Sequence, residues 1–297
     1  MFEVQTKQIT AANNGGEFTY TFNDNVYSYV SGVTAFYFHY DSHDHDIKNF
    51  YVQLSEVNKY ANNLTLKANF GMNDNSGHSL SSNSYIDVTV LAMTKQSDSS
   101  ILFDTVMDLQ NNQTSQAIQP SFETTYGQQV SLQGFNLSFG STDQRVHQLE
   151  AATSLVSEGG NTVAVNSTAI MNEKSGGENQ STNSIDACVL INGDHSAGLL
   201  FKAEQAQTTS PQTFADESCN WAMFVQGFNL RYSSGQKHHV RSVTLDTDCT
   251  PSNGQVTWHA KALWHDDSHN DQKDYSPSTT DGSCVNVVFV GWPKSPS

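Results

Sequence analysis

The chain has 297 residues, 36% of them hydrophobic and 15% charged, with a formal net charge of -16. That supplies enough apolar material for a core, while so negative a chain is a poor partner for nucleic acid, whose phosphates are bound through basic patches. The longest basic feature, Lys237-His238-His239-Val240-Arg241, is too short to change this, and no run of about 18 apolar residues offers a transmembrane helix.

The opening MFEVQTKQITAANNGGEFTY has neither a basic n-region nor an apolar h-region. No signal peptide is visible, so the expectation is a cytoplasmic protein, a non-classically secreted one, or one whose leader Met1 has replaced. Internal repetition organises the rest. AFYFHYDSHDHDIKNFYVQL from Ala35, GFNLSFGSTDQRVHQLEAAT from Gly134 and GFNLRYSSGQKHHVRSVTLD from Gly227 align with one another. Second matched blocks begin at Leu64, Val163 and Val256, and third blocks at Ile86, Ile185 and Val285. Phe36 to Met72, Phe135 to Met171 and Phe228 to Trp264 are each roughly 36 positions apart, a spacing that chance rarely repeats. Three units are expected, at 1–95, 96–196 and 197–297. Each is near the usual domain size, able to bury its own core, and joined to the next by a polar stretch, TKQSDSS or NGDHSAG.

Within each unit the hydrophobic period is two. Phe36, Phe38 and Tyr40 alternate with Tyr37 and His39, and Phe135, Leu137, Phe139 and Phe228, Leu230, Tyr232 repeat the pattern. Ile47 to Leu54, Val146 to Thr153 and Val240 to Thr247 are further strands whose apolar phase shifts after the first residue, which predicts a β-bulge. Leu64, Leu66, Ala68, Phe70 and Met72 then form one face, matched by Val163, Val165, Ser167, Ala169, Met171 and by Val256, Trp258, Ala260, Ala262, Trp264. Such alternation means half-buried strands, and no helical stripe competes with it. The fold class is all-β: three tandem small antiparallel β-sandwiches of six or seven strands each.

If consecutive strands run antiparallel, the turn after Tyr40 and the loop after Met72 leave from the same end. There the first unit gathers Asp41, His43, Asp44, His45, Asp46 with Asn73, Asp74, Asn75, His78. The second gathers Asp143, Gln144, Arg145 with Asn172, Glu173, Lys174, and the third Gln236, Lys237, His238, His239 with His265, Asp266, Asp267, His269. From these, the candidate ligand-binding residues are Asp44, His45, Asp74, Asp143, Arg145, Glu173, His238, His239, His265 and Asp266.

Three chemistries compete at that end. Calcium wants about six oxygens, and Asp41, Asp44, Asp46 and Asp74 of the first unit are the candidate ligands. No acid stands at the twelfth position that an EF-hand requires, so solvated loops without a cofactor are the simpler reading. His265 and His269 sit on a loop, where helical metal-ligand spacing has no meaning. The stretch MNDNSGH from Met72 reads as a turn whose acid and hydroxyl satisfy its own backbone donors, because Asp74, Glu173 and Asp266 each precede a Ser by two positions. Catalysis lacks a GxSxG elbow, a P-loop or a CxxC pair, so no enzyme is expected, and a hydrolase using His265 and Asp266 is the remaining enzymatic alternative. Cys188, Cys219, Cys249 and Cys284 are compatible with disulfides or with buried thiols. Sugar recognition suits Asp, Asn, His and Arg hydrogen bonds beside an aromatic face. Trp264 and Tyr275 are the aromatic candidates, although Met72 and Met171 at the equivalent place continue the apolar face and favour Trp264 as a core residue.

The pattern GFNLRYSSGQKHHVRSVTLDTD, an alternating strand and the closing VNVVFVGW at 285 to 292 resemble the H-type lectin domain. The resemblance covers the last two thirds of each unit, and the first two units depart from it by ending in VLA and VLI without Trp. It implies six-stranded antiparallel sandwiches that assemble as trimers, hence an intramolecular pseudo-trimer here; no sugar-binding residue is carried over from the family. The function expected is non-enzymatic, lectin-like recognition of glycans or glycoproteins through the loops at one end of each unit. The alternative is a toxin-associated or structural β protein that binds other proteins.

Overall fold

The computed structural model describes all residues except 42, 96, 174–181, 195–198, 207–209, 216–218, 233–237, 253, 267–282 and 295–297. Residues 1–95 form β1 (Phe2–Thr10), a 3-10 turn (Ala11–Asn13), β2 (Glu17–Thr21), β3 (Val26–His39), β4 (Asn49–Tyr60), β5 (Asn63–Asn73) and β6 (Tyr85–Thr94). Residues 96–196 form β7 (Ile101–Gln110), β8 (Gly127–Ser138), β9 (Gln148–Gly159), β10 (Thr162–Asn172) and β11 (Ser184–Asn192). Residues 197–297 form β12 (Leu200–Ala206), β13 (Gln212–Ala215), β14 (Cys219–Arg231), β15 (Ser242–Ser252), β16 (Gln255–His265) and β17 (Cys284–Pro293).

The all-β class holds, and the strands make three antiparallel sheets. Their orders are β1-β6-β3-β15-β16-β13, β2-β5-β4-β8-β11-β7 and β10-β9-β14-β17-β12. Every sheet therefore draws strands from two of the three stretches. Val243 of β15 lies opposite Phe38 of β3, Phe50 of β4 opposite Leu137 of β8, and Leu149 of β9 opposite Leu230 of β14. These pairings run in a cycle: the first stretch joins the second, the second the third, and the third the first.

Alternation positions the core. Leu64, Leu66, Ala68, Phe70 and Met72 of β5 are all buried, as are Val256, Trp258, Ala260, Ala262 and Trp264 of β16, while the residues between them are at least partly exposed except Gly71. At the centre, Phe36, Phe135 and Phe228 meet, with ring centroids 6.0, 5.7 and 5.4 Å apart for the pairs 36–135, 36–228 and 135–228. Phe50 packs against all three. Full burial of one such ring stabilises by roughly 1.5–3 kcal/mol, and edge-to-face pairs add about 0.5–1.5 kcal/mol. One main buried cluster takes residues from all three stretches, so the core is shared and not divided at 95 and 196.

Two junctions are too close for a side chain. A Cβ on Gly134 would stand 2.5 Å from the Val52 carbonyl oxygen, and one on Gly227 would stand 2.4 Å from the Ala152 Cβ. The phase shift after Ile47 is not a bulge within β4. Ile47 makes an isolated bridge to Gln144 before the strand begins at Asn49, and the register shift in β4 lies further on, between Glu56 and Asn58. The four cysteines form no disulfide with one another.

Candidate functional site

The loops that leave β3, β8 and β14 interlace at one end. His45 bridges to Val240, Ile47 to Gln144 and Val146 to His238. Each bridge exchanges both backbone hydrogen bonds, at 2.9–3.0 Å. Just inside them, Tyr40 N–H donates to the Arg241 carbonyl, Phe139 N–H to Lys48 and Tyr232 N–H to His147, each at 3.0 Å. Ile47, Val146 and Val240 are fully buried beneath the bridges. The apolar residues anchor, and the polar residues beside them are held at the boundaries between stretches.

The first cluster is built by the MNDNSGH turn. Oδ1 of Asp74 accepts the N–H groups of Ser76 and His78, both at 2.9 Å, which folds the loop back on itself. Its other oxygen, Oδ2, lies 2.6 Å from Nδ1 of His78 and 3.5 Å from Nδ1 of His45. The two imidazoles stack with centroids 3.9 Å apart, and the Tyr40 ring meets His45 edge-on at 4.9 Å. Burial works against the Asp74 charge, but the hydrogen bonds and the charge of His78 outweigh it and hold the carboxyl below its ordinary value. Burial, with the neighbouring His78, lowers His45. Burial raises the Tyr40 phenol, and Asp74 and Asp143 add to that.

The second cluster spans the first and third stretches. Nδ1 of His238 lies 2.6 Å from Oδ2 of Asp266, which is 1% exposed. Burial, and then the neighbouring Asp266 carboxyl, raise Asp44 above its ordinary value. On the rim, His239 Nδ1 faces Asp46 Oδ1 at 2.8 Å. Tyr232 lies beneath, stacked on both His238 and Trp264 at 4.1 Å.

The third cluster joins the first and second stretches. Asp143 accepts the Asn75 backbone N–H at 3.1 Å and its side-chain amide at 3.3 Å. Lower down, Arg241 Nε donates to His39 Nε2 at 3.2 Å and Arg231 Nε to His147 Nε2 at 3.4 Å, again across junctions.

Of the residues that sequence singles out, Asp44, His45, Asp74, Asp143, His238, His239 and Asp266 enter these clusters. Arg145 is exposed at the same end, and Glu173 and His265 are half-buried. Asp41, Asp44, Asp46 and Asp74 do not converge as a calcium site would require. Asp44 turns to Asp266, Asp46 to His239 and Asp74 to His45 and His78. The described residues contain one group of three potential metal ligands, His45, Asp74 and His78, whose ligating atoms lie within 4.8 Å of one another. Trp264 is fully buried, so it is a core residue and presents no face to a sugar. Lys174, Lys237, Asp267, His269 and Tyr275 lie outside the described residues. Spacing alone does not mark His78 or Tyr40; His78 arrives because the Asp74 turn curls, and Tyr40 belongs to the apolar alternation. Compared with family models, curated proteins and solved structures, the chain matches none.

Proposed function

We propose that the protein is a non-enzymatic, lectin-like binding protein that recognises glycans through the interlaced loops at one end of an intramolecular pseudo-trimer. The observation that carries this reading is the junction where Asp44, His238, His239 and Asp266 from different stretches meet. Carboxylates accept from sugar hydroxyls and imidazoles donate or accept, so a mixed rim of both suits a polyhydroxylated ligand. Rigid strands hold these loops, the usual arrangement for recognition. The cyclic strand pairing and the H-type lectin resemblance both favour it, and several junctions on one face would raise avidity.

A glycan array, run with and without calcium, tests the proposal. Binding should be detected and should weaken on Asp44→Ala and His239→Ala, since both residues belong to that junction. An array with no binding under either condition removes the reading.

A further inference from the structure

We propose that His45, Asp74 and His78 form a binding site for one divalent transition-metal ion of the zinc type. Two imidazoles and one carboxylate are the donor set that such ions select, whereas calcium prefers oxygen alone. The site is oriented before any ion arrives. Oδ1 of Asp74 is held by two backbone N–H groups, which aims Oδ2 at both imidazoles. This is the outer-shell support that ligating carboxylates usually receive.

Burial is graded in the sense a metal site needs. The Asp74 side chain is 3% exposed, His45 17% and His78 45%, so the cluster opens on one side to solvent. Among the described residues, the Nε2 atom of His45 and the Tyr40 hydroxyl are buried with no hydrogen-bond partner. Tyr40 itself is 1% exposed and its ring packs on His45. Ligand atoms on a tetrahedral zinc lie roughly 3.3 Å apart, from bond lengths of about 2 Å. The contact of 2.6 Å between His78 and Asp74 must therefore open. His78 is the most exposed of the three and on a loop, so its side chain is the one free to turn. Three protein ligands leave further positions for water.

Among the described residues this donor set occurs once. At the corresponding sequence positions the second stretch has Gln144, Glu173 and Gly177, and the third has His238, Asp266 and Asn270. One ion at this site is the consequence. The inference does not rest on the glycan reading, because the metal alone is the probe.

The test is calorimetric titration of the whole, chelator-treated chain with zinc chloride. One equivalent should bind, and excess calcium should not displace it. His45→Gln and His78→Asn should each weaken binding by at least about tenfold, in line with the sensitivity of metal sites to altered ligand shells. His238→Gln should leave it unchanged. Gln144 makes the same kind of bridge as His45, so His45→Gln should still fold, and far-ultraviolet circular dichroism checks this. Cobalt in place of zinc should give a spectrum without a thiolate charge-transfer band, which separates this site from the free cysteines. Absence of zinc binding overturns the proposal. So does binding that survives both histidine variants, falls with His238→Gln, or shows the thiolate band.

Discussion

His45 and Val240 exchange both of their backbone hydrogen bonds, at 3.0 and 2.9 Å, although they stand near opposite ends of the chain. The same exchange joins Ile47 to Gln144 and Val146 to His238, so the three stretches are stitched to one another in a ring. Each stretch has two pairing edges that only its neighbours satisfy, and the phenylalanines of the centre come one from each.

Unfolding should therefore be a single event. Equilibrium denaturation of the whole chain, followed by circular dichroism and by tryptophan fluorescence, should give coincident transitions. Residues 1–95 expressed alone would leave β3 and β4 with unpaired edges and Phe36 uncovered. That fragment should show no cooperative transition and poor amide dispersion in NMR; a well-dispersed, cooperatively melting fragment would contradict the shared core.

Phe36→Ala should cost about 3–5 kcal/mol in stability, the usual cost of deleting a buried aromatic ring. Tyr60→Ala is the control, since Tyr60 is 76% exposed, and its change should stay within about 0.5 kcal/mol. Denaturant midpoints with unchanged slopes would measure both.

Gly134→Ala should destabilise by about 1–3 kcal/mol, as overpacking does. The added methyl meets a backbone carbonyl of β4, which cannot swing aside as a side chain can. Ala35 occupies the corresponding position at the β3–β15 junction. The junctions are therefore not equally tight, and Ala35→Gly should shift the midpoint much less than Gly134→Ala.

Two acids should respond to pH with opposite sign. Asp74 is held below its ordinary value of 3.8, so its contribution is present above that value and fades as pH falls through the lower folded one. Asp186 is raised by burial, partly offset by the Asp108 N–H it accepts at 2.8 Å. Its contribution is full below 3.8 and is lost as pH rises from there through the raised value. Asp186→Asn should raise the denaturant midpoint at neutral pH, with the advantage shrinking toward pH 3.8. Asp74→Asn should lower it at neutral pH, again with the difference closing in acid. Parallel pH profiles for wild type and variants would refute the assignment.

Much of the strand layout is legible in the chain because burial on one side of a sheet imposes a period of two. Val256 to Trp264 obey it throughout, and Leu64 to Met72 at every position but Gly71. The same rule tells that Trp264 points inward, even though it borders the polar loop. Pairing partners are harder, because β3 meeting β15 depends on closing the whole chain, and no local spacing records it. Ile47 shows why a phase change has two meanings: its side chain is buried where two loops cross, before its own sheet starts. The gathering of loops at one end follows from antiparallel order, but which acid meets which imidazole is decided across the junctions. Asp44 beside Asp266 is invisible until the first and third stretches are brought together.

A cyclic set of sheets also has consequences for closure. A surface that pairs head to tail with the next copy builds a ring if the rotation closes and a filament if it does not. Here the β4 edge is spent on β8, the β9 edge on β14 and the β15 edge on β3, so these three junctions close on one another, and the outer edges of the sheets are β1, β2, β7, β10, β12 and β13. Carrying all three junctions on one polypeptide makes that closure independent of concentration, and each junction bears a different loop cluster.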